Sequence, residues 1–119
     1  MKIAQQIAVF LDNRPGTLAR VCDALAEAKI NIYAISTSDT VDHSVVRMVL
    51  SDPKKALIIF EERGALAVED EVILIDDDNR SGRLAEIART LHNAKVNIEY
   101  LYCATSPRSK KRLLVLRVN

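Results

Sequence analysis

A fixed offset of 66 residues relates two stretches of this chain. Asp12 to Thr37 aligns with Asp78 to Cys103, and eleven of the twenty-six positions are identical: Asp, Asn, Arg, Gly, Leu, Ala, Leu, Ala, Lys, Asn and Ile. A repeat on this scale constrains architecture more than any single motif, because both copies must suit one local fold. In the first copy the apolar run Ile7 to Leu11 ends at Asp12-Asn13-Arg14-Pro15-Gly16, a turn signal. Leu18, Val21, Cys22, Leu25 and Ala28 then form a helical stripe, with Pro15 suited to the first helical turn. Ile30 to Thr37 reads as a strand. The second copy has a strand at Val72 to Ile75 and a turn at Asp78 to Gly82. Its stripe is Leu84, Ile87, Ala88, Leu91 and Ala94, and a strand begins at Val96-Asn97-Ile98.

The remaining segments complete one unit and part of another. Asp39 to His43 is a polar connector, and Ser44 to Leu50 is a strand that pairs with its predecessor as a hairpin. Asp52 caps a second helix with Pro53 at its first position, Ala56, Leu57 and Phe60 on its apolar face and Gly64 ending it. Ala65 to Val68 reads as a fourth strand, broken by Glu69-Asp70-Glu71. Residues 1–71 thus predict βαββαβ, and residues 72–119 predict βαββ with a last strand from Arg112 to Val118. Seven strands and three helices are expected. Right-handed crossovers put both helices of the first unit on one face, giving an α/β (α+β) sandwich of ferredoxin-like topology. The second unit lacks a helix over part of its sheet, so apolar surface is expected there, covered by another copy in a homodimer or higher oligomer.

Charge and composition exclude several function classes. Seventeen basic against sixteen acidic residues leave no surplus for a generic polyanion binder. Aromatics at 4% with no Trp do not furnish a stacking platform for single-stranded nucleic acid. Two cysteines 81 residues apart are neither a disulfide framework nor a metal motif. No apolar run approaches the ~20 residues that span a bilayer, so a cytoplasmic protein with no membrane partner is expected. The balance hides a local asymmetry. Glu61 to Arg80 carries eight acids and two bases, and the last thirteen residues carry five bases and no acid. That pattern fits a solvated turn at Ser106 to Lys111, a phosphate or nucleic-acid contact, or complementary self-association.

The repeated polar positions carry the functional signal. Asn13 and Asn79 stand before a helix N-terminus, whose unpaired N–H groups favour a carboxylate or phosphate. Gly16 and Gly82 permit a tight turn, and Asn31 and Asn97 open the next strand. An Asn amide both donates and accepts, so it can pair with either end of a zwitterion. The same residues also serve as ordinary turn, cap or helix-exit positions. Leu18, Leu84, Leu25 and Leu91 read as core, and Cys22 as a buried small hydrophobe. Asp76-Asp77-Asp78 reads as a solvated acidic loop, with Asp77 or Asp78 a candidate partner for a ligand ammonium. His43 and His92 have no nucleophile motif beside them.

Asp12-Asn13-Arg14-Pro15-Gly16-Thr17-Leu18, followed by Leu25-Ala26-Glu27-Ala28-Lys29-Ile30-Asn31-Ile32, resembles the signature of the ACT domain. The whole chain resembles stand-alone tandem ACT proteins. That resemblance implies a non-catalytic regulatory module that binds an amino-acid effector at interfaces between ACT units, with no cofactor and no metal. The implied contacts are Asn13, Arg14, Pro15, Gly16, Asn31 and Ile32, with Asn79, Gly82 and Asn97 in the second copy. In the serine-binding domain of 3-phosphoglycerate dehydrogenase, the two ligand-holding asparagines fall on Asn13 and Asn31. A histidine used there falls on Leu11, and on Asp77 in the second copy, which argues against serine itself; the loop proline is replaced by Ser81 in the second copy, which implies a second site differently shaped or vestigial. A metabolic enzyme acting in trans is the implied partner. The alternative is a structural regulatory subunit that binds an enzyme and no metabolite, as in acetolactate synthase small subunits. A small ferredoxin-like enzyme such as an acylphosphatase would need a glycine-rich anion loop that this chain lacks.

Overall fold

In a computed structural model of the chain, residues 1–39 and 42–119 are described. The elements are β1 (Lys2–Asp12), α1 (Thr17–Glu27), β2 (Ile32–Asp39), β3 (His43–Leu50), α2 (Pro53–Glu62), β4 (Leu66–Asp78), α3 (Arg83–Asn93), β5 (Ile98–Ala104) and β6 (Lys111–Val118). The fold is α+β, with six strands and three helices among the described residues rather than seven and three. The strands expected at 65–68 and 72–75 are one strand of 13 residues. Glu69 and Glu71 are exposed, so their charges stay hydrated while the backbone continues extended. The connector expected at Asp39 to His43 is shortened from both sides, since those two residues end β2 and begin β3; its centre, 40–41, lies outside the described residues.

Two compact units divide the chain, one of Gln5–Asp70 and one of Glu71–Asn119 with Met1–Ala4. In the first, strands run β2-β3-β1-β4; β2 and β3 form the expected hairpin, and β1 pairs antiparallel with β3. In the second the order is β4-β6-β5, all antiparallel, and β1, whose first residues belong to this unit, neighbours β4. The start of β1 therefore occupies the strand position that a βαββ unit leaves vacant. The helix position stays vacant.

Registers repeat between the units. Ile7 faces Met48 as Ile73 faces Leu116, and Val9 faces Val46 as Ile75 faces Leu114. In the first unit these side chains are sealed by Val21 and Leu25 of α1 and by Ala56 and Phe60 of α2. Burying a side chain the size of Phe60 contributes about 1.5–3 kcal/mol. In the second unit only α3 covers the sheet, through Ile87, Leu84 and Leu91. Ile73, Ile75 and Leu91 consequently remain half-buried, whereas Ile7, Val9 and Leu25 are buried. Together with Met1, Ile87 and Leu116 they line an apolar groove of about 420 Å³.

Helix boundaries follow backbone chemistry. The Asp52 carboxylate accepts from Lys55 N–H at 3.1 Å, and Pro53 stands at the first position of α2, as its sequence predicts. Each helix ends in a left-handed residue with the paired hydrogen bonds of a Schellman motif: Ile30 N–H to Leu25 O, Ala65 N–H to Phe60 O, and Val96 N–H to Leu91 O, all 2.9 Å. Gly64 has the expected positive φ of 75°, but the other two positions hold Lys29 (59°) and Lys95 (60°). Asn31 and Asn97 are thus not the left-handed exits. The α1 stripe is also rotated from expectation. Val21, Ala24 and Leu25 are buried, Cys22 is only half-buried, and Leu18 stays 39% exposed at the margin of the apolar face.

Candidate ligand-binding site

Both strand-to-helix loops are built on one hydrogen-bonding plan. Asn13 N–H donates to Asp42 O at 3.1 Å, and Asn79 N–H to Lys110 O at 2.9 Å. Arg14 N–H reaches Asp12 O and Arg80 N–H reaches Asp78 O, both at 3.0 Å. Gly16 and Gly82 are the N-caps, left-handed with φ of 91° and 84°, which is why glycine stands at both. Pro15 therefore lies in the turn before Gly16, not in the helix as expected. Thr17 Oγ1 donates to Asp12 O at 2.9 Å and to Arg14 O at 3.1 Å, tying the first loop to its helix. Among the described residues the N–H groups of Gly16, Leu18 and Ala19 have no acceptor, so they point partial positive charge outward.

Side chains make the loops differ. Arg14 approaches Asp12 only at 3.6 Å and is 65% exposed. Its counterpart Arg80 holds both Glu86 oxygens, at 3.1 and 2.9 Å, with Arg83 on the same carboxylate at 3.1 Å. Leu11, half-buried, corresponds to Asp77, whose carboxylate is buried between Arg83 (3.2 Å) and Arg112 (3.0 Å). Two guanidinium groups already occupy that carboxylate, so the residue expected to meet a ligand ammonium is spent. Asp76 to Asp78 are strand residues rather than a solvated loop, because alternation sends Asp77 inward while Asp76 and Asp78 face out. Lys111 donates to Asp78 at 2.9 Å. That bond and its charge hold the Asp78 carboxyl below the usual range, as Arg80 and then Arg83 do for Glu86. Asp77–Arg112 and Asp78–Lys111 thus pair part of the acidic middle with the basic end along the β4–β6 ladder, while Arg117 donates to the Glu71 backbone carbonyl at 2.7 Å.

The asparagines separate into two ends of each unit. Asn13 precedes α1 and Asn31 follows it, across a helix of 11 residues, or about 16 Å at 1.5 Å per residue. One unit cannot bring both amides onto one small ligand. Asn31 anchors β2 through its backbone, donating to Ser51 Oγ and accepting from Ser51 N–H, both at 2.9 Å. Asn97 makes the matching pair with Asn119. Both side chains are exposed, and Ile32 beside Asn31 is 37% exposed. Asn79 Nδ2 donates to Ser109 O at 3.3 Å; the corresponding position in the first unit, 41, lies outside the described residues.

A cavity of about 620 Å³ opens beside the first loop, between the start of α1 and the end of α2. Arg14 and Thr17 reach it from the loop, Arg20 and Ala24 from α1, and Phe60 and Arg63 from α2. Arg20 and Arg63 did not stand out in sequence, and His43 reads there only as a histidine with no nucleophile motif beside it. A lone arginine on a helix carries no motif, and only the packing of α2 beside α1 brings them together. Among the described residues no group of three His, Cys, Asp or Glu could hold a metal ion. No helix of the described residues is long and apolar enough to cross a membrane.

The model of one family, the ACT domain pair, matches residues 1–119. The chain belongs to this family. As an ACT domain pair, it is similar in structure to protein BT0572 from Bacteroides thetaiotaomicron, at 29% identity and a TM-score of 0.91 over 98% of this chain and 79% of that one. It is also similar to the ligand-free regulatory subunit of aspartate kinase from Thermus thermophilus, at 21% identity and a TM-score of 0.71 over 98% and 87%. The aspartate kinase regulatory subunit from Thermus flavus aligns with this ACT pair at 23% identity and a TM-score of 0.65 over 98% and 86%. None of the curated proteins matches it.

Proposed function

We propose that this ACT pair is a non-catalytic regulatory module whose first strand-to-helix loop binds the carboxylate of an amino-acid effector. The observation that carries this reading is the contrast between Arg14 and Arg80. Arg14 has only a long contact to Asp12 beside acceptor-free N–H groups, whereas Arg80 is consumed by Glu86. In this reading Asn13, Arg14, Pro15 and Gly16 receive the carboxylate end. Asn31 and Ile32 close the site from a second ACT unit, since one unit holds them a helix length apart. Asn79, Gly82 and Asn97 form the weaker counterpart.

Ligand held between units couples binding to their placement, and a metabolic enzyme in trans reads that placement by linkage. The family match and the regulatory-subunit folds support this role. A second copy is part of the proposal. Tyr33 and Ile35 are 60% and 43% exposed on β2, and the groove beside α3 is uncovered. Sedimentation should show a dimer or larger at micromolar concentration, and a stable monomer would remove the shared site. A thermal-shift screen of the twenty amino acids should yield a stabilising ligand whose effect is lost in Asn13→Ala and Asn31→Ala. A screen without any hit at millimolar concentration would favour the purely structural subunit instead.

A further inference from the structure

We infer that the cavity between α1 and α2 of the first unit is a second binding site, sharing Arg14 with the effector loop, for an amphipathic organic acid, an apolar body bearing a carboxylate and no ammonium group. It lies within one unit and needs no second copy, so it goes beyond the effector site proposed above.

Size and wall chemistry define the ligand class. A volume of about 620 Å³ falls within the roughly 300–1,000 Å³ of small-molecule pockets. Phe60, Val21 and Ala24 give it an apolar floor, and all three are buried in the core, so the floor is rigid. Its rim carries three guanidinium groups, Arg14, Arg20 and Arg63, against one carboxylate, Asp12. None of the three is tightly engaged. Arg14 and Arg63 make contacts of 3.6 Å, to Asp12 and Glu27, and each stays more than half exposed. Arg20 has no ion pair among the described residues and folds back over Gly16, its Nη1 lying 3.3 Å from where a Cβ there would stand.

A guanidinium fork matches a carboxylate through two parallel charge-assisted bonds, and a cationic rim above an apolar floor orients an acid with its body inward. A zwitterion is disfavoured at such a rim. Its ammonium would meet a cationic surplus, and Asp12 already lies near Arg14. The second unit has no counterpart of α2 and keeps an open groove there, but its charges are spent: Leu11 is replaced by Asp77, Thr17 by Arg83 and Arg20 by Glu86, and these replacements pair with one another. The repeat therefore supplies its own contrast. One copy keeps its cations open over an apolar cavity, and the other spends them internally.

Titration calorimetry of the full chain with 3-phenylpropionate and with L-phenylalanine tests this. The expected result is saturable binding of 3-phenylpropionate, about tenfold or more tighter than any binding of L-phenylalanine at the same site. Arg20→Gln and Arg63→Gln should each weaken it by about tenfold, the loss of one charge-assisted contact, with melting temperature unchanged. Asn13→Ala and Asn31→Ala, which dismantle the proposed effector site, should leave it unaltered. A protein that binds no amino acid yet binds 3-phenylpropionate in this Arg-dependent way would overturn the effector reading and sustain this one. Absence of binding at roughly 5 mM, equal affinity for L-phenylalanine, or undiminished binding in both arginine variants would overturn it.

Discussion

The first strand-to-helix loop leaves Arg14 in a 3.6 Å contact above a half-buried Leu11. The second puts Arg80 in a bidentate pair with Glu86 above a buried Asp77 clasped by Arg83 and Arg112. Their backbones coincide bond for bond, from the Asn13 and Asn79 N–H donors to the left-handed Gly16 and Gly82. The repeat keeps one backbone plan at both helix starts, and side-chain replacement gives the two loops different ion pairs. The copy with loosely paired cations suits a ligand. The copy with internal ion pairs suits stability. A similar division runs through the cores, where α2 seals the first unit and the second keeps an open groove.

The largest effect tests the cores. Leu25 and Leu91 are matched positions on α1 and α3, the first 1% exposed and the second half-buried. Leu25→Ala should cost about 2–5 kcal/mol in urea unfolding, and Leu91→Ala about half as much, since fewer contacts are lost. Equal losses would mean that the groove is covered in solution. Next comes the buried carboxylate. Asp77→Ala strands the buried Arg112 guanidinium and leaves Arg83 only Glu86, and it should cost about 3 kcal/mol, against about 1 kcal/mol for Leu11→Ala. The reverse order would dissolve the contrast between a structural and an open loop.

How much of this was legible in sequence depends on whether it was local or tertiary. The repeated turns and the three helices were legible, because chemistry at Gly16 and Gly82 or Asp52 and Pro53 acts over a few residues. The single long β4 was hidden by Glu69-Asp70-Glu71, since charges that stay in water do not interrupt an extended backbone. Leu18 reads as core by spacing, yet spacing does not say where a stripe is centred. The Asp77 clasp depends on β6 lying beside β4, and the Arg20–Arg63 rim on α2 lying beside α1. Neither register is encoded near the residues it joins. The asparagine positions were legible, but only the helix length shows that one unit cannot combine them.

Smaller effects sharpen the shared part of the plan. Lys29→Gly and Lys95→Gly relieve a left-handed non-glycine residue and should each stabilise by up to about 1 kcal/mol, visible as similar rises in melting temperature. Unequal gains would show that the helix exits are not equivalent.

The smallest effect is electrostatic. Asp78 and Glu86 have folded pKa values below their ordinary ones, so their contribution is fully present above the usual carboxylate range and is lost as pH falls through the lowered folded values. In an NMR titration Arg80→Ala should raise the Glu86 midpoint toward its ordinary value, whereas Arg14→Ala should leave Glu86 unmoved.

Backbone amide NMR of the full chain, titrated with the amino acid that stabilises it most, addresses the division of labour itself. This account predicts saturable shifts at Asn13, Arg14 and Gly16 that vanish in Arg14→Ala, with Asn79, Arg80 and Gly82 little changed. Shifts concentrated at the second loop, with the first silent, would contradict it.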